Sequence, residues 1–491
     1  MKIDDLLTTL NIEMMIDKNI KNMGIKGIAD NSNDVEIGFV FVAIKGYQVD
    51  GHDYIADAIQ KGATLVIGEQ QIQDIDVPYI KVENSRKVLG IISKQFYNNP
   101  SKDKLMIGIT GTNGKTTTSY LIKHIVEACG KTCGLIGTIQ NMINGKPIPS
   151  FQTTPSALMV NKLLTESKDD VVIMEVSSHG LSQHRVEGIE FDIAVFTNLY
   201  HEHLDYHHSM EEYFQAKLLL FDHLKPNGKA VINTDNEWGN RLAELLRQRD
   251  IPTFSVGEAE KNEVQLKDFA VDLSILYAKE EGKSIEVVIP IPGIHNMYNT
   301  MMAYLSTRIL PIPQETIREA IQSFTGVDGR FEKYKQGNSP TVIVDYAHTP
   351  DAIFHCIASA KTFGAKHIFH VFGFRGNRDT TKRPQMLSLT AKYSDQYFLT
   401  FDDLNSISEN EMEKTLHELN RKFGNTNKGN IVPDWTLAIQ KAIEMANEGD
   451  WVIITGKGHE NYQQSFELQT PSDKETVQYI LNQLAEEKIT N

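Results

Sequence analysis

Short apolar runs rich in β-branched residues recur along the chain: LMIGIT (105–110), VVIMEV (171–176), DIAVFTN (192–198), TVIVDYA (341–347), IFHVFGF (368–374) and WVIITGKG (451–458). They are apolar at successive positions rather than alternating, which predicts strands covered on both faces, as in parallel α/β sheets. Between them the period changes. In SYLIKHIVEACG, Leu121, Ile122, Ile125, Val126 and Cys129 share one face at helical spacing. Several runs stop at Gly, Asp, Asn, Ser or His. Open α/β sheets bind ligands beyond the carboxyl ends of their strands, so those polar residues are the first candidates for chemistry.

Two breaks divide the pattern. NNPSKDK (98–104) precedes the strand at 105, and TGVDGRFEK (325–333) precedes the strand at 341. Domains are therefore expected at 1–100, 101–327 and 328–491, with 251–290 adding strands to the middle one. A chain of 491 residues exceeds a single core, and domains of roughly 100–200 residues fit this division. The fold class expected is α/β, with mostly parallel sheets.

Composition narrows the function. Hydrophobic content of 41% and charged content of 23% are those of an ordinary globular protein. A formal net charge of −15 argues against a protein that coats nucleic acid, because such proteins carry surplus Lys and Arg; a small anionic substrate needs only local positive charge. No run approaches the roughly 18–20 apolar residues of a membrane span, and the start MKIDDLLTTLNIEMM has acids where a secretory signal has bases. The expected location is the cytoplasm. Cys129, Cys133 and Cys356 are too few for a disulfide framework and are read as reduced core residues.

The strongest local motif is LMIGITGTNGKTTTSYLI (105–122): strand, glycine loop, Lys-Thr, helix. The backbone N–H groups of Gly111, Thr112, Asn113 and Gly114 and of the following helix start can cradle phosphates. Lys115 would reach the β- and γ-phosphates and Thr116, followed by Thr117, would hold Mg²⁺. The strict G-x-x-x-x-G-K-[ST] spacing is broken by Ile109, so this is a variant loop.

That variant, GTNGKT, resembles the loop of the Mur ligase family. The resemblance extends over nearly the whole chain through blocks in family order: FVAIKGYQVDGHDYIADAIQKGA (41–63), GLIGT (134–138), TTP (153–155), MEVSSHGL (174–181), HLDYH (203–207), NMYN (296–299), GRFE (329–332), DYAHTPDA (345–352), RGNRDTTKRPQM (375–386) and GKGHENYQ (456–463). It implies an N-terminal domain for a UDP sugar, a central ATPase domain and a C-terminal Rossmann-like domain for an incoming amino acid. The implied activity is ATP-dependent amide-bond formation through an acyl phosphate, at the step that adds the third peptide residue to UDP-N-acetylmuramoyl-L-alanyl-D-glutamate. The implied partners are small molecules: ATP, the UDP-sugar dipeptide and an amino acid.

The resemblance also assigns residues. Thr116 and Glu175 would share one Mg²⁺, for which hydroxyl and carboxylate oxygens are suitable hard ligands. His203 would contact a second ion. Lys217, which alone reads as a helix lysine with a snorkelling stem, would be carbamylated by CO₂ and become an anion beside that ion. Ser32, Thr153, Thr154, Ser178 and Arg185 match positions for the UDP-sugar peptide. Asn296, Arg330 and Asp345 match contacts to adenine, phosphates and ribose; strand-end or turn capping is the plain alternative for Asn296 and Asp345. Tyr346 and His348 are placed near the nucleotide without a role.

For the incoming amino acid, Arg378 matches the arginine of its α-carboxylate, and Gly456 and Glu460 match positions at the far end of a diamino acid. Relatives that add meso-diaminopimelate carry Asp-Asn-Pro-Arg in a selectivity loop whose arginine pairs with the second carboxylate. Here the loop reads Asp402-Asp403-Leu404-Asn405. Without an arginine at 405 a second carboxylate would lack a partner, so L-lysine is the expected acceptor, with diaminopimelate the alternative. A second departure is Asn31-Ser32-Asn33 where the family has Asp-Ser-Arg near the uridine. Two charges are missing there, which leaves room for a ligase of a secondary pathway with another carboxylate carrier.

Overall fold

A computed structural model, described for residues 1–12, 18–47 and 49–490, carries three sheets in succession along the chain. Gln48 of the 41–63 block and Glu13–Met15 of the N-terminal stretch lie outside the described residues. The first sheet has four strands in chain order, Gly27–Ala29, Phe39–Val42, Ala63–Gly68 and Tyr79–Lys81, all parallel.

The second sheet has eleven strands. At its centre lies Leu105–Thr110, parallel to Phe191–Phe196 on one side and to Val171–Glu175 on the other. Met106, Ile107 and Ile109 are fully buried, which accounts for the unbroken apolar run. Leu224–Asn233, Thr253–Gly257, Val264–Ala270 and Cys133–Ile136 continue the parallel part outward. Antiparallel strands close both edges, Ile275–Glu280 and Lys283–Val288 at one and Gln140–Ile143 and Lys146–Pro149 at the other. Residues 251–290 thus add strands to the middle sheet.

The third sheet runs, in spatial order, Glu332–Tyr334, Thr341–Asp345, Trp451–Thr455, Ile368–Phe374, Gln396–Phe401 and Gly429–Ile431. Only the first of these is antiparallel to its neighbour. The apolar runs read from the sequence are strands, but four of them end earlier than the runs do. Val176, Thr197 and Asn198, Tyr346 and Ala347, and Gly456–Gly458 lie beyond the strands at their carboxyl edges. Those edges of the second and third sheets form the site.

Beneath the third sheet, Asp473 is fully buried at the start of the helix Asp473–Thr490 and accepts from Trp435 Nε1 at 2.7 Å and Tyr462 Oη at 2.9 Å. Burial pushes its carboxyl up to about 7. The folded chain therefore holds a proton that an unfolded aspartate releases near pH 4. The stability this gives is complete below pH ~4 and is lost as pH rises through about 7. Asp473→Asn is expected to flatten the dependence of this domain's unfolding free energy on pH over that window, by a few kcal/mol in total, read from urea melts at several pH values. An unchanged slope would show that Asp473 is ionised throughout.

Candidate functional site

The helix Lys115–Ala128 starts directly after the central strand, capped by Gly114 in the left-handed region at φ 86°. A Cβ at 114 would lie 2.2 Å from Asn299 Oδ1, so both the backbone and the space require glycine. The loop is held from the neighbouring strand: Thr112 N donates to Asn198 O at 3.0 Å, Asn113 N to Asn198 Oδ1 at 2.9 Å, and Thr197 Oγ1 to Asn113 O at 2.6 Å. The first-turn amides of Lys115, Thr116 and Thr117 have no intrahelical acceptor and are free for an anion. Lys115 Nζ folds back onto the carbonyls of Gly111 and Thr112, both at 2.9 Å. Loss of solvent, opposed by Glu175, lowers its pKa to about 8.

Glu175 ends the adjacent strand and is fully buried, with no cation paired to it among the described residues. It accepts instead from Thr116 Oγ1 at 2.9 Å and Thr138 Oγ1 at 2.8 Å. A buried carboxylate surrounded by hydroxyls is costly without a counter-charge, and these oxygen donors fit Mg²⁺. No cluster of three or more His, Cys, Asp or Glu forms among the described residues, so such an ion would take further oxygens from phosphate and water.

Lys217 lies on the helix Met210–Asp222, 1% exposed. Its Nζ donates to Gly111 O at 2.8 Å, sharing that carbonyl with Lys115, and stands 4.6 Å from the centre of the Tyr213 ring. Burial, reinforced by Lys115, holds its pKa well below the ordinary lysine value. His203, at φ 58°, caps the short helix Leu204–His207, and its ring is 4.7 Å from that of His179. Burial lowers the His203 pKa, reinforced by His179 and Lys217, and lowers that of His179 to about 4, so both rings are neutral and able to ligate.

A cavity of about 370 Å³ extends from the loop to the third domain. Asn296, Arg330, Asp345, Tyr346 and His348 line it. Arg330 lies with its guanidinium 4.4 Å from the Tyr346 ring centre and reaches Thr116 Oγ1 at 3.4 Å. Asp345 accepts from the amides of Phe331 at 2.6 Å and Ala347 at 2.7 Å, which is strand-end capping at the cavity wall. Asn296 donates to Pro292 O at 2.8 Å. Both residues therefore already have protein partners.

Of the residues expected to hold the UDP-sugar peptide, Thr153 lines this cavity and Arg185 reaches Gln152 and the Thr154 carbonyl. Thr154 is fully buried and donates to Glu175 O at 3.0 Å, which makes it a brace for the acid. Ser178 is likewise buried, against His207 Nε2 at 2.9 Å. Ser32 stands apart in the first domain, 6% exposed. Beside it Lys61 Nζ reaches Asn33 Oδ1 at 3.0 Å, so a cation from another element stands where the loop lacks one.

A second cavity, of about 210 Å³, opens on the third domain; Glu202, His203, Tyr346 and His348 line both. Arg378 lines it and is exposed. Asp402 and Asp403 are buried, bound to Lys457 Nζ at 2.9 and 2.6 Å. Asn405 turns away and donates to Gly376 O at 2.6 Å. Gly456 adopts φ 128° at the end of its strand. Glu460, expected at the far end of the diamino acid, is paired with Arg375 and accepts from Tyr346 Oη at 3.1 Å. Arg375, Lys457, Thr138 and the Lys382–Glu202 ion pair at 2.9 Å went unassigned in the sequence, where each is separated from its partner by tens of positions.

A phosphate loop beside a buried carboxylate, opening through shared walls onto a cation-lined cavity of a second domain, defines an ATP-dependent ligase. The chain belongs to the Mur ligase family: residues 109–307 match the Mur ligase middle domain, 329–458 the Mur ligase glutamate ligase domain, and 19–97 the catalytic domain of the Mur ligase family. Among curated relatives, a UDP-N-acetylmuramoyl-L-alanyl-D-glutamate–2,6-diaminopimelate ligase of Caldanaerobacter subterraneus subsp. tengcongensis is 38% identical, covering 98% of this chain and 99% of its own. Its counterpart in Clostridioides difficile is 37% identical, covering 94% and 96%. A solved structure of a ligase with that name superposes with a TM-score of 0.70 at 26% identity, covering 98% and 99%. MurF ligase from Thermotoga maritima in complex with ADP shares the fold, with a TM-score of 0.65 at 20% identity over 94% and 98%. The family expected from the motifs is the one found, and its enzymes use ATP and Mg²⁺. No described helix is long and apolar enough to cross a membrane.

Proposed function

We propose that this ligase adds 2,6-diaminopimelate to the D-glutamyl carboxylate of UDP-N-acetylmuramoyl-L-alanyl-D-glutamate, in the cytoplasm, as a step of peptidoglycan precursor synthesis. The observation that supports the reading is the meeting of the two cavities at Glu202, His203, Tyr346 and His348, where a phosphoryl donor in one and an amine in the other would approach the same carboxylate. The acceptor differs from the lysine expected from Asn405. The relatives at 36–38% identity named above and beside them are diaminopimelate ligases, and they favour that amino acid.

A carboxylate and an amine do not condense unaided in water, so the carboxylate first takes the γ-phosphoryl group of ATP. The resulting acyl phosphate is attacked by the neutral amine and phosphate leaves. Gly111, Thr112, Asn113, Gly114 and Thr117 shape the phosphate cradle, while Lys115 and Arg330 balance charge on the moving phosphoryl group. Asn296 and Asp345 border the adenosine, and Thr153, Ser178, Arg185 and, at the uridine end, Ser32 position the sugar peptide, with Thr154 bracing them. Thr116 and Glu175 would hold one Mg²⁺, and His203 with a carbamate on Lys217 a second. When bound, these ions draw electron density from phosphate oxygens. Arg378 takes the α-carboxylate of the amino acid, and Gly456 and Glu460, with Asp402, Asp403 and Asn405 around them, form the far end.

An acceptor screen tests this. With ATP, Mg²⁺ and the UDP-sugar dipeptide, phosphate release is expected to be fastest with meso-diaminopimelate, and slower with lysine and ornithine. Preference for lysine would overturn the acceptor. No release with any of the three would overturn the peptidoglycan reading and leave a ligase of another pathway.

A further inference from the structure

Arg375, in the wall of the second cavity, is held in an ion pair with Glu460 whose function the motifs do not supply. Arg375 leaves the end of the strand Ile368–Phe374 and lines the cavity with its side chain 21% exposed. Nη2 pairs with Glu460 and reaches Gly456 O at 3.4 Å; Nε lies 3.3 Å from Asp402 and 3.8 Å from Asp403. Nη1 has no hydrogen-bond partner among the described residues.

The other cations lining this cavity have other engagements or lie elsewhere. Lys382 is paired with Glu202 at 2.9 Å. Arg383 is 7% exposed and donates to the Arg375 carbonyl at 2.8 Å. Arg378 is exposed and is taken up, in the proposed function, by the α-carboxylate. Asp402 and Asp403 are already bound by Lys457. Arg375 and Glu460 are left as the charged pair able to exchange partners.

Resting on the proposed function, we infer that Arg375 determines the amino-acid specificity by taking the far carboxylate of a dicarboxylic diamino acid, while Glu460 takes the neighbouring ammonium group. The pair is a template for a zwitterion. Inserting one carboxylate and one ammonium between a guanidinium and a carboxylate turns one ion pair into two with no net change of charge, and the planar fork suits the incoming carboxylate. Lysine brings only the ammonium. It would separate Arg375 from Glu460 and set a like charge beside Nη2 without bringing a new anion, the guanidinium keeping only Asp402 and Asp403 on its Nε side. Asn405 itself does not line the cavity: its side chain donates to the carbonyl of Gly376, the residue after Arg375, which brings the two positions close together while only the arginine faces the cavity.

The test is the ratio of kcat/KM for meso-diaminopimelate to that for L-lysine, in the wild type, Arg375→Met, and the charge-balanced Arg375→Met/Glu460→Gln pair, which leaves no lone buried charge if the single variant misfolds. The wild type is expected to favour diaminopimelate. Both variants are expected to lower the ratio by about 10²-fold, through KM for diaminopimelate more than through kcat. Asn405→Arg added to Arg375→Met is expected to recover part of it. A wild type that prefers diaminopimelate with variants that keep its ratio would overturn the role of Arg375 and leave the proposed function intact. A wild type that prefers lysine would overturn the proposed acceptor and the inference with it.

Discussion

Lys115→Met is expected to lower kcat/KM for ATP by about 10²–10³-fold, with kcat falling as well as KM rising. The lysine sits at the start of a helix whose free amides can bind phosphate but cannot follow the γ-phosphoryl group as it moves. A flexible cation can. Its Nζ rests on the carbonyls of Gly111 and Thr112, and Lys217 occupies the same Gly111 carbonyl. Lys115 would exchange these carbonyls for a phosphate oxygen, leaving the Gly111 carbonyl to Lys217. Methionine keeps most of the apolar stem and loses the charged, hydrogen-bonding end. Thermal stability should change little, because the lysine's hydrogen bonds to carbonyls are worth about 1 kcal/mol each and Lys217 still donates to the Gly111 carbonyl. The comparison is made by phosphate release at varied ATP, with melting temperature as a control. A variant with wild-type kcat would remove Lys115 from phosphoryl transfer and leave only the loop's backbone.

What could be read from the chain and what could not divide along physical lines. Strands covered on both faces leave continuous apolar runs, so Leu105–Thr110, Ile368–Phe374 and Trp451–Thr455 are legible directly, and with them the α/β class. The glycine loop is legible because its function depends on consecutive backbone amides. Charge compensation is not local in this way. Glu175 and Thr138 are 37 positions apart, Lys457 and Asp403 are 54 apart, and Lys382 and Glu202 are 180 apart. Nothing in the local pattern around Glu460 announces that Arg375, 85 residues earlier, neutralises it. The lysine expectation came from Asn405 read within its own loop, whereas the cation inferred above for the far carboxylate, Arg375, follows another strand. Thr154 and Ser178 show the converse, since a motif identifies them but only packing reveals that their hydroxyls already have partners.

Lys217→Ala is expected to reduce ligase turnover by about 10²–10³-fold, and removal of CO₂ from the wild type to reproduce most of that loss. The helix that carries Lys217 buries Tyr213, Phe214, Leu220 and Phe221 around it, yet the amine has no carboxylate partner among the described residues. An ammonium ion there would be uncompensated and close to Lys115. The neutral amine is the form the site tolerates, and it is also the form that attacks CO₂. The product, a carbamate formed with release of one proton, would replace the neutral amine by an anion near His203, whose ring could share a metal ion with it. Lys115 would then gain a nearby anion. Two measurements separate this from a purely structural lysine: phosphate release by degassed enzyme against added bicarbonate, and rescue of Lys217→Ala by small carboxylic acids that can occupy the vacated space. Full turnover without CO₂ would establish that Lys217 acts as an amine, and the second metal would then need another anion.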